Sequence, residues 1–380
     1  MRKSLTMIAM AVVLFTAAFM LFGCEGPQGP GGKDGKDGTN TGLLALEGFA
    51  PNARCGDCHT PGQDSLYFVA GRKYQWAQSR HALGGNSERN GASCAGCHTT
   101  EGFIQRMNGQ TVTNQYQPSP PGCFACHSPH ARAEFSLRKA TAVTIGSNIA
   151  GVADALFDYG AGNVCVQCHQ TRTMSPKMPG APGPTDTVTI TNERWYSHYG
   201  VQGQVLMGEG GFKFPGYTYR GNSNHSVNAA IKTKGCPTCH MVEQAYSPNL
   251  GTGKAGGHTM NIRYYTEEGA LDTVYHLVSC NATGCHGANF FNETSYRNAI
   301  RPIEDSLHVL ETLLTAKNWL TSSGTVRAGG TYGPLKITPA VKAGALYNFL
   351  LIEHDLSKGI HNTKYAQDLI NSSIQALRTP

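Results

Sequence analysis

The chain has 380 residues, 40% hydrophobic, with 46 glycines, 13 cysteines and a formal net charge of +6. That length holds one large domain or two ordinary ones. A disulfide framework, the usual reading of so many cysteines in an exported chain, is excluded by spacing, because twelve of the 13 fall into six pairs, each followed directly by His.

Residues 1–23 read as a leader, with Arg2-Lys3 ahead of an apolar run from Met7 to Phe22. Leu21-Phe22-Gly23-Cys24 resembles the bacterial lipobox, whose Cys is lipidated and becomes the mature N-terminus. Phe22 is bulkier than that pattern prefers, and a plain secretory signal or an uncleaved anchor are the alternatives. Glu25 after the Cys resembles lipoproteins sorted to the outer membrane. Residues 24–42 repeat Gly at every third position from Gly26 to Gly38, as in collagen. So few triplets do not hold a triple helix, and a flexible, solvated tether is expected.

Residues 43–290 carry the six motifs. The first is Cys55, Cys58 and His59; the second is Cys94, Cys97 and His98; the third is Cys123, Cys126 and His127. The fourth is Cys165, Cys168 and His169; the fifth is Cys236, Cys239 and His240; the sixth is Cys280, Cys285 and His286. Five are Cys-x-x-Cys-His, the attachment signature of a c-type haem. The thiols add covalently to the porphyrin and the adjacent His supplies an imidazole to the iron. Structural zinc would need a second pair of ligands at each site and has no use for an adjacent His. The sixth motif has four intervening residues; its immediate His reads as haem attachment as well, with an inert Cys pair as the alternative. Six haems bring two propionates each, and Arg2 and Lys3 belong to the leader, so the loaded protein is expected to be net acidic, and the basic excess is no argument for nucleic acid.

Gly, Pro, Asn and Ser are frequent between the motifs, and the reading is short helices and long loops wrapped around haem. The fold class expected is mainly α with extensive loops and a helical section at residues 291–380. There Ile303, Leu307, Leu310 and Leu314 form one stripe. Thr338-Pro339 reads as an N-cap with Pro at the first helical position, followed by a face of Val341, Ala345, Leu346, Phe349 and Leu350. Gly359 is the expected helix break, and a last helix runs from Lys364 to Leu377.

A second His on an iron closes it for electron transfer, whereas an open position admits substrate. Beyond the six motif histidines, nine of the 15 remain: His81, His130, His198, His225, His258, His276, His308, His354 and His361. His130 follows His127 by three residues, and its backbone leaves on the proximal side, so it is expected to serve a different iron. His308 shares a helix face with Glu304 and Glu311 and reads as solvated. His276 and His354 are reserve candidates, and Met207, Met241 and Met260 read as packing residues.

Several short motifs resemble the multihaem family of cytochrome c554, hydroxylamine oxidoreductase and the ammonia-forming nitrite reductases. They are Trp76-Ala77-Gln78-Ser79-Arg80-His81-Ala82, Cys123 to His130, Trp195-Tyr196-Ser197-His198, Ser223-Asn224-His225, Gly256-Gly257-His258-Thr259-Met260 and Ser357-Lys358-Gly359-Ile360-His361-Asn362. The resemblance implies distal ligands at His81, His130, His198, His225, His258 and His361. The Cys-x-x-Cys-Lys motif of the nitrite reductases is absent. The expected function is electron relay through six bis-His haems at the outer membrane or cell surface, with redox proteins such as other cytochromes as partners and a homo-oligomer or filament as one assembly. No catalytic residue is assigned. The alternative is a reductase or oxidase of small nitrogen or sulfur compounds at one open haem.

Overall fold

A computed structural model describes residues 50–51, 69–84, 86–243, 254–265, 273–287 and 290–379. The leader, the tether and the lipidation candidate Cys24 lie outside the described residues. So do Cys55, Cys58 and His59, the whole of the first motif. The chain is mostly helical with little sheet. In the N-terminal half the helices are short: α1 (Val69–Ala77), α2 (Arg80–Gly84), α3 (Ala92–His98), α4 (Thr100–Met107), α5 (Cys123–Cys126) and α6 (Pro129–Arg132). Strands β1 (Val143–Ile145) and β2 (Ala155–Phe157), α7 (Gly162–Val166), β3 (Val188–Ile190) and α8 (Gln202–Met207) follow, then α9 (Ala229–Lys234), α10 (Pro237–His240), β4 (Arg263–Tyr265) and β5 (Thr273–Tyr275). The last part holds α11 (Glu293–Ala316), β6 (Leu335–Ile337), α12 (Ala343–Asp355) and α13 (Thr363–Arg378).

Three antiparallel pairs, β1–β2, β3–β6 and β4–β5, make up the sheet structure among the described residues. In β1 the alternation is simple: Val143 and Ile145 are buried and Thr144 is exposed. The β3–β6 pair sets Val188 opposite Ile337, tying the motif-bearing half to the C-terminal helices.

The main core lies in that same region. Ile303, Leu307, Leu310 and Leu314 are the buried residues of α11, the stripe expected from the sequence, and each such burial contributes about 1.5–3 kcal/mol. Asn292 caps the helix by accepting Ser295 N–H at 2.9 Å. Pro302 lies inside α11 on its exposed side, where water can satisfy the carbonyl that a proline leaves unpaired. In α13 the buried Tyr365, Ala366, Leu369 and Ile370 form one face, and Asn362 accepts Tyr365 N–H.

Three details of the C-terminal section differ from expectation. Thr338 does not cap a helix, because its hydroxyl is hydrogen-bonded to Thr187 Oγ1 at 2.6 Å. A 3-10 turn, Ala340–Lys342, leads into α12 instead. Helix α12 is buried all round from Ala343 to Ile352, not on one broad face. It is the central helix of the core, and Asn348 binds the Phe212 backbone from both sides, accepting N–H at 2.7 Å and donating to the carbonyl at 2.8 Å. The helix stops at Asp355, where Leu356 takes the left-handed conformation (φ 61°), and Gly359 lies in the turn beyond.

The motif-bearing half has smaller apolar clusters, one of Val143, Ile145, Phe157, Tyr159, Val166, Leu206, Met207 and Ile231 and another of Phe103, Ala125 and Val164.

Candidate cofactor sites

The geometry bears on five of the six motifs, since Cys55, Cys58 and His59 fall outside the described residues. A helical turn puts residues i, i+3 and i+4 on one side, so Cys94, Cys97 and His98 in α3 share a face. The third, fourth and fifth motifs close the same turn by a backbone bond from the His N–H to the first Cys carbonyl: His127 to Cys123 at 2.9 Å, His169 to Cys165 at 2.9 Å and His240 to Cys236 at 3.0 Å. In the expanded sixth motif His286 N–H again reaches the first Cys carbonyl, Cys280, at 3.0 Å. Its two extra residues are taken up in a turn through Gly284 (φ 84°). None of the ten described motif cysteines is in a disulfide.

Each described motif histidine has a second imidazole opposite it. Ring centres are 6.2 Å apart for His98 and His198, 6.3 Å for His127 and His258, and 6.1 Å for His169 and His81. They are 6.3 Å apart for His240 and His361 and 6.0 Å for His286 and His225. Two imidazoles on opposite sides of one metal, each bound at about 2.0 Å, place their ring centres ~6 Å apart. The donor set therefore fits a six-coordinate haem iron at each pair. The described residues hold no cluster of three or more His, Cys, Asp or Glu of the kind an all-protein metal site needs.

The second ring nitrogens support this orientation. His225 Nδ1 meets Ile360 O at 2.6 Å, His240 Nδ1 meets Met260 O at 2.9 Å, and His127 Nδ1 meets Ser136 O at 3.4 Å. His169 Nδ1 meets Gln202 Oε1 at 3.1 Å, and His361 Nδ1 meets Asp355 Oδ1 at 2.7 Å. These partners are acceptors, so the proton sits on Nδ1 and the lone pair on Nε2, the arrangement an outer partner imposes on a metal-binding imidazole. Burial holds His81, His198, His240 and His258 down at about 4, and His225 below its ordinary value. Neutral imidazole is the ligand form.

Local structure explains how the distal candidates are held. Trp76 Nε1 donates to Pro121 O at 3.0 Å, anchoring α1 ahead of the third motif, and Ser79 Oγ accepts Ala82 N–H at the start of α2, which carries His81. His198 has a φ of 66°, a conformation costing a non-glycine residue roughly 1 kcal/mol or more, next to the buried Trp195 and Ser197. The turn Gly257–Thr259 presents His258 and is fastened by its N–H to Gln75 Oε1 at 3.0 Å. His130 has its ring centre 5.2 Å from that of Phe124. Its carbonyl accepts Ala50 N–H at 2.7 Å, and Ala50 lies five residues ahead of Cys55.

The other histidines are committed elsewhere. His276 is buried with Nε2 against Val242 O at 2.8 Å. His308 is exposed beside Glu311. His354 packs against Tyr196 and Tyr199, ring centres 4.8 and 4.5 Å away, and burial lowers it to about 4.

The sites share walls. Gly162 approaches Gly235 and Cys236 so closely that an added Cβ would lie 2.9 Å from Cys236 N, and the Cys165 and Cys236 side chains lie side by side. Cys97 and Cys168 lie side by side in the same way, and Arg106 reaches both sulfurs. Arg106 clamps that junction, donating to Cys97 Sγ at 3.1 Å and Gln167 O at 2.5 Å. Sequence reasoning missed Arg106, Gln202 and Asp355, because each is joined to its motif by tertiary packing and none stands at a diagnostic spacing.

No family model and no curated protein matches this sequence. Among solved structures, the crystal structure of the outer cell wall cytochrome OcwA aligns with 81% of this chain at 19% identity and a TM-score of 0.48. The alignment spans 50% of that chain, so this protein covers about half its length.

Proposed function

We propose that the protein is a hexahaem c-type cytochrome that relays single electrons at the outer membrane or cell surface. The observation that carries the reading is the set of five facing histidine pairs, with ring centres 6.0–6.3 Å apart. The cysteines of each motif would hold a haem covalently, and His98, His127, His169, His240 and His286 would each supply an imidazole to its iron. His198, His258, His81, His361 and His225 would supply the second imidazole in that order. In the first motif Cys55 and Cys58 would hold the sixth haem, with His59 and His130 supplying imidazoles to its iron. The support is that His127 faces His258 and that Ala50, near that motif in sequence, bonds to His130.

Haem bound at each pair supplies a one-electron iron couple. The protein's own residues do the rest. With two imidazoles at each site, a bound haem iron would be closed to substrate. Nδ1 partners fix ring orientation and ligand basicity. Shared walls at Cys97–Cys168 and Cys165–Cys236 bring neighbouring sites together, the arrangement a conduit needs. Lipidation at Cys24 would tether the protein to a membrane; none of the described helices is long and apolar enough to cross one. The partners are other redox proteins, or further copies of this chain in a filament.

A pyridine haemochrome assay with intact mass spectrometry should give six haems per chain. Electron paramagnetic resonance of the oxidised protein should show six low-spin ferric centres. A high-spin centre in the untreated protein would replace this reading with the open-haem enzyme.

A further inference from the structure

The Nδ1 partners of the facing histidines include both neutral groups and a carboxylate. His225, His240 and His127 bond to backbone carbonyls, and His169 bonds to the neutral amide of Gln202. His361 bonds instead to a carboxylate, Asp355 Oδ1, at 2.7 Å. Asp355 is 2% exposed, so its charge is weakly screened by solvent. Its second oxygen receives the Ser357 hydroxyl. The nearest basic side chain on this turn, Lys358, is paired with Glu353 at 2.9 Å.

We propose that Asp355 is a positioning residue that makes the haem held between His240 and His361 the lowest in reduction potential among the described sites. This rests on the assignment of haem to the facing pairs. A carboxylate on Nδ1 gives the imidazole anionic character and makes it a stronger donor. That favours ferric iron, which carries one more positive charge than ferrous iron. The couple takes up one electron and transfers no atom; the electron comes from one neighbouring site and leaves to another.

The place of this site in the molecule gives the bias a consequence. Cys236 lies against Cys165 of the fourth motif, with its backbone N 2.9 Å from where a Cβ on Gly162 would stand, and Cys239 lies beside Cys280 and Cys285 of the sixth. The low-potential station therefore stands between two others, not at an end. An electron crossing from the fourth to the sixth motif climbs onto it, and the height of that step sets the rate of exchange between them.

Potentiometric titration of the six-haem protein tests this. Asp355→Asn keeps an acceptor of the same shape and removes the charge. It should raise the reduction equilibrium constant of one haem about tenfold or more, which is about 59 mV for one electron. The other five potentials should hold and all six irons should remain low-spin. The haem that moves should be the one that turns high-spin in His361→Ala. Ser357→Ala strips the carboxylate of its hydroxyl donor and should move the same potential downward. Unchanged potentials in Asp355→Asn, or movement of a different haem, overturn the proposal. If Asp355→Asn assembles without its haems, Ser357→Ala decides alone, and an unmoved potential there overturns it. Absence of six low-spin haems in the unmodified protein would instead overturn the haem assignment itself.

Discussion

Removing the His258 imidazole tests the pairing of His127 with His258 against the alternative that His130, three residues along the chain, is the ligand. The His258 ring centre is 6.3 Å from that of His127, and His258 is only partly buried, so water can fill the space an alanine leaves. His276 cannot replace it, since its Nε2 is bound to Val242 O at 2.8 Å. His258→Ala should therefore turn one of six irons high-spin, about one sixth of the total ferric signal, with its haem still attached through Cys123, Cys126 and His127. His130→Ala should also turn one iron high-spin, and a different one. The Ala50 bond to the His130 carbonyl is a backbone contact and survives that substitution. The double variant should then show about one third of the iron high-spin, the two effects adding because they act on separate centres. Spin quantitation by electron paramagnetic resonance reads all three proteins. A fully low-spin His258→Ala, or a double variant with no more high-spin iron than one single variant, would refute the pairing.

Further outcomes follow from the sixth motif, the core and the leader. Cys280→Ser combined with Cys285→Ser should lower the haem count by mass spectrometry from six to five, because His286 alone offers no covalent bond to a porphyrin. Asn348→Leu removes the partners of both the Phe212 N–H and its carbonyl, as well as the donor side of the Asn348–Ser373 contact. At roughly 1–3 kcal/mol for each buried group left unsatisfied, the denaturation midpoint should fall clearly while the spin state of the irons stays as it was; an unchanged midpoint would count against the central role of α12. Cys24→Ala should release the protein from the membrane fraction into the soluble fraction, and membrane retention would point to an uncleaved anchor.

The contribution of the sequence was chemical and local. Adjacency of Cys, Cys and His within five to seven residues names a covalent haem site without reference to fold, since all the reacting groups lie on one turn. The α11 stripe of Ile303, Leu307, Leu310 and Leu314 was legible for the same reason: a helix repeats over a short span, and its period is written in the residues. Helix α12 was not, because a helix buried on every side carries no amphipathic pattern, and whether Leu346 faces core or solvent depends on what packs opposite. Pairing was decided only in three dimensions. His198 lies 100 residues beyond its partner His98, and His81 lies 88 before His169, and no spacing rule connects them. The charge at His361 was equally hidden. Asp355 is six residues upstream, one carboxylate among many in the sequence, and acquires its role because α12 ends there and the chain turns back through Leu356 to set the two side chains against each other with the carboxylate buried.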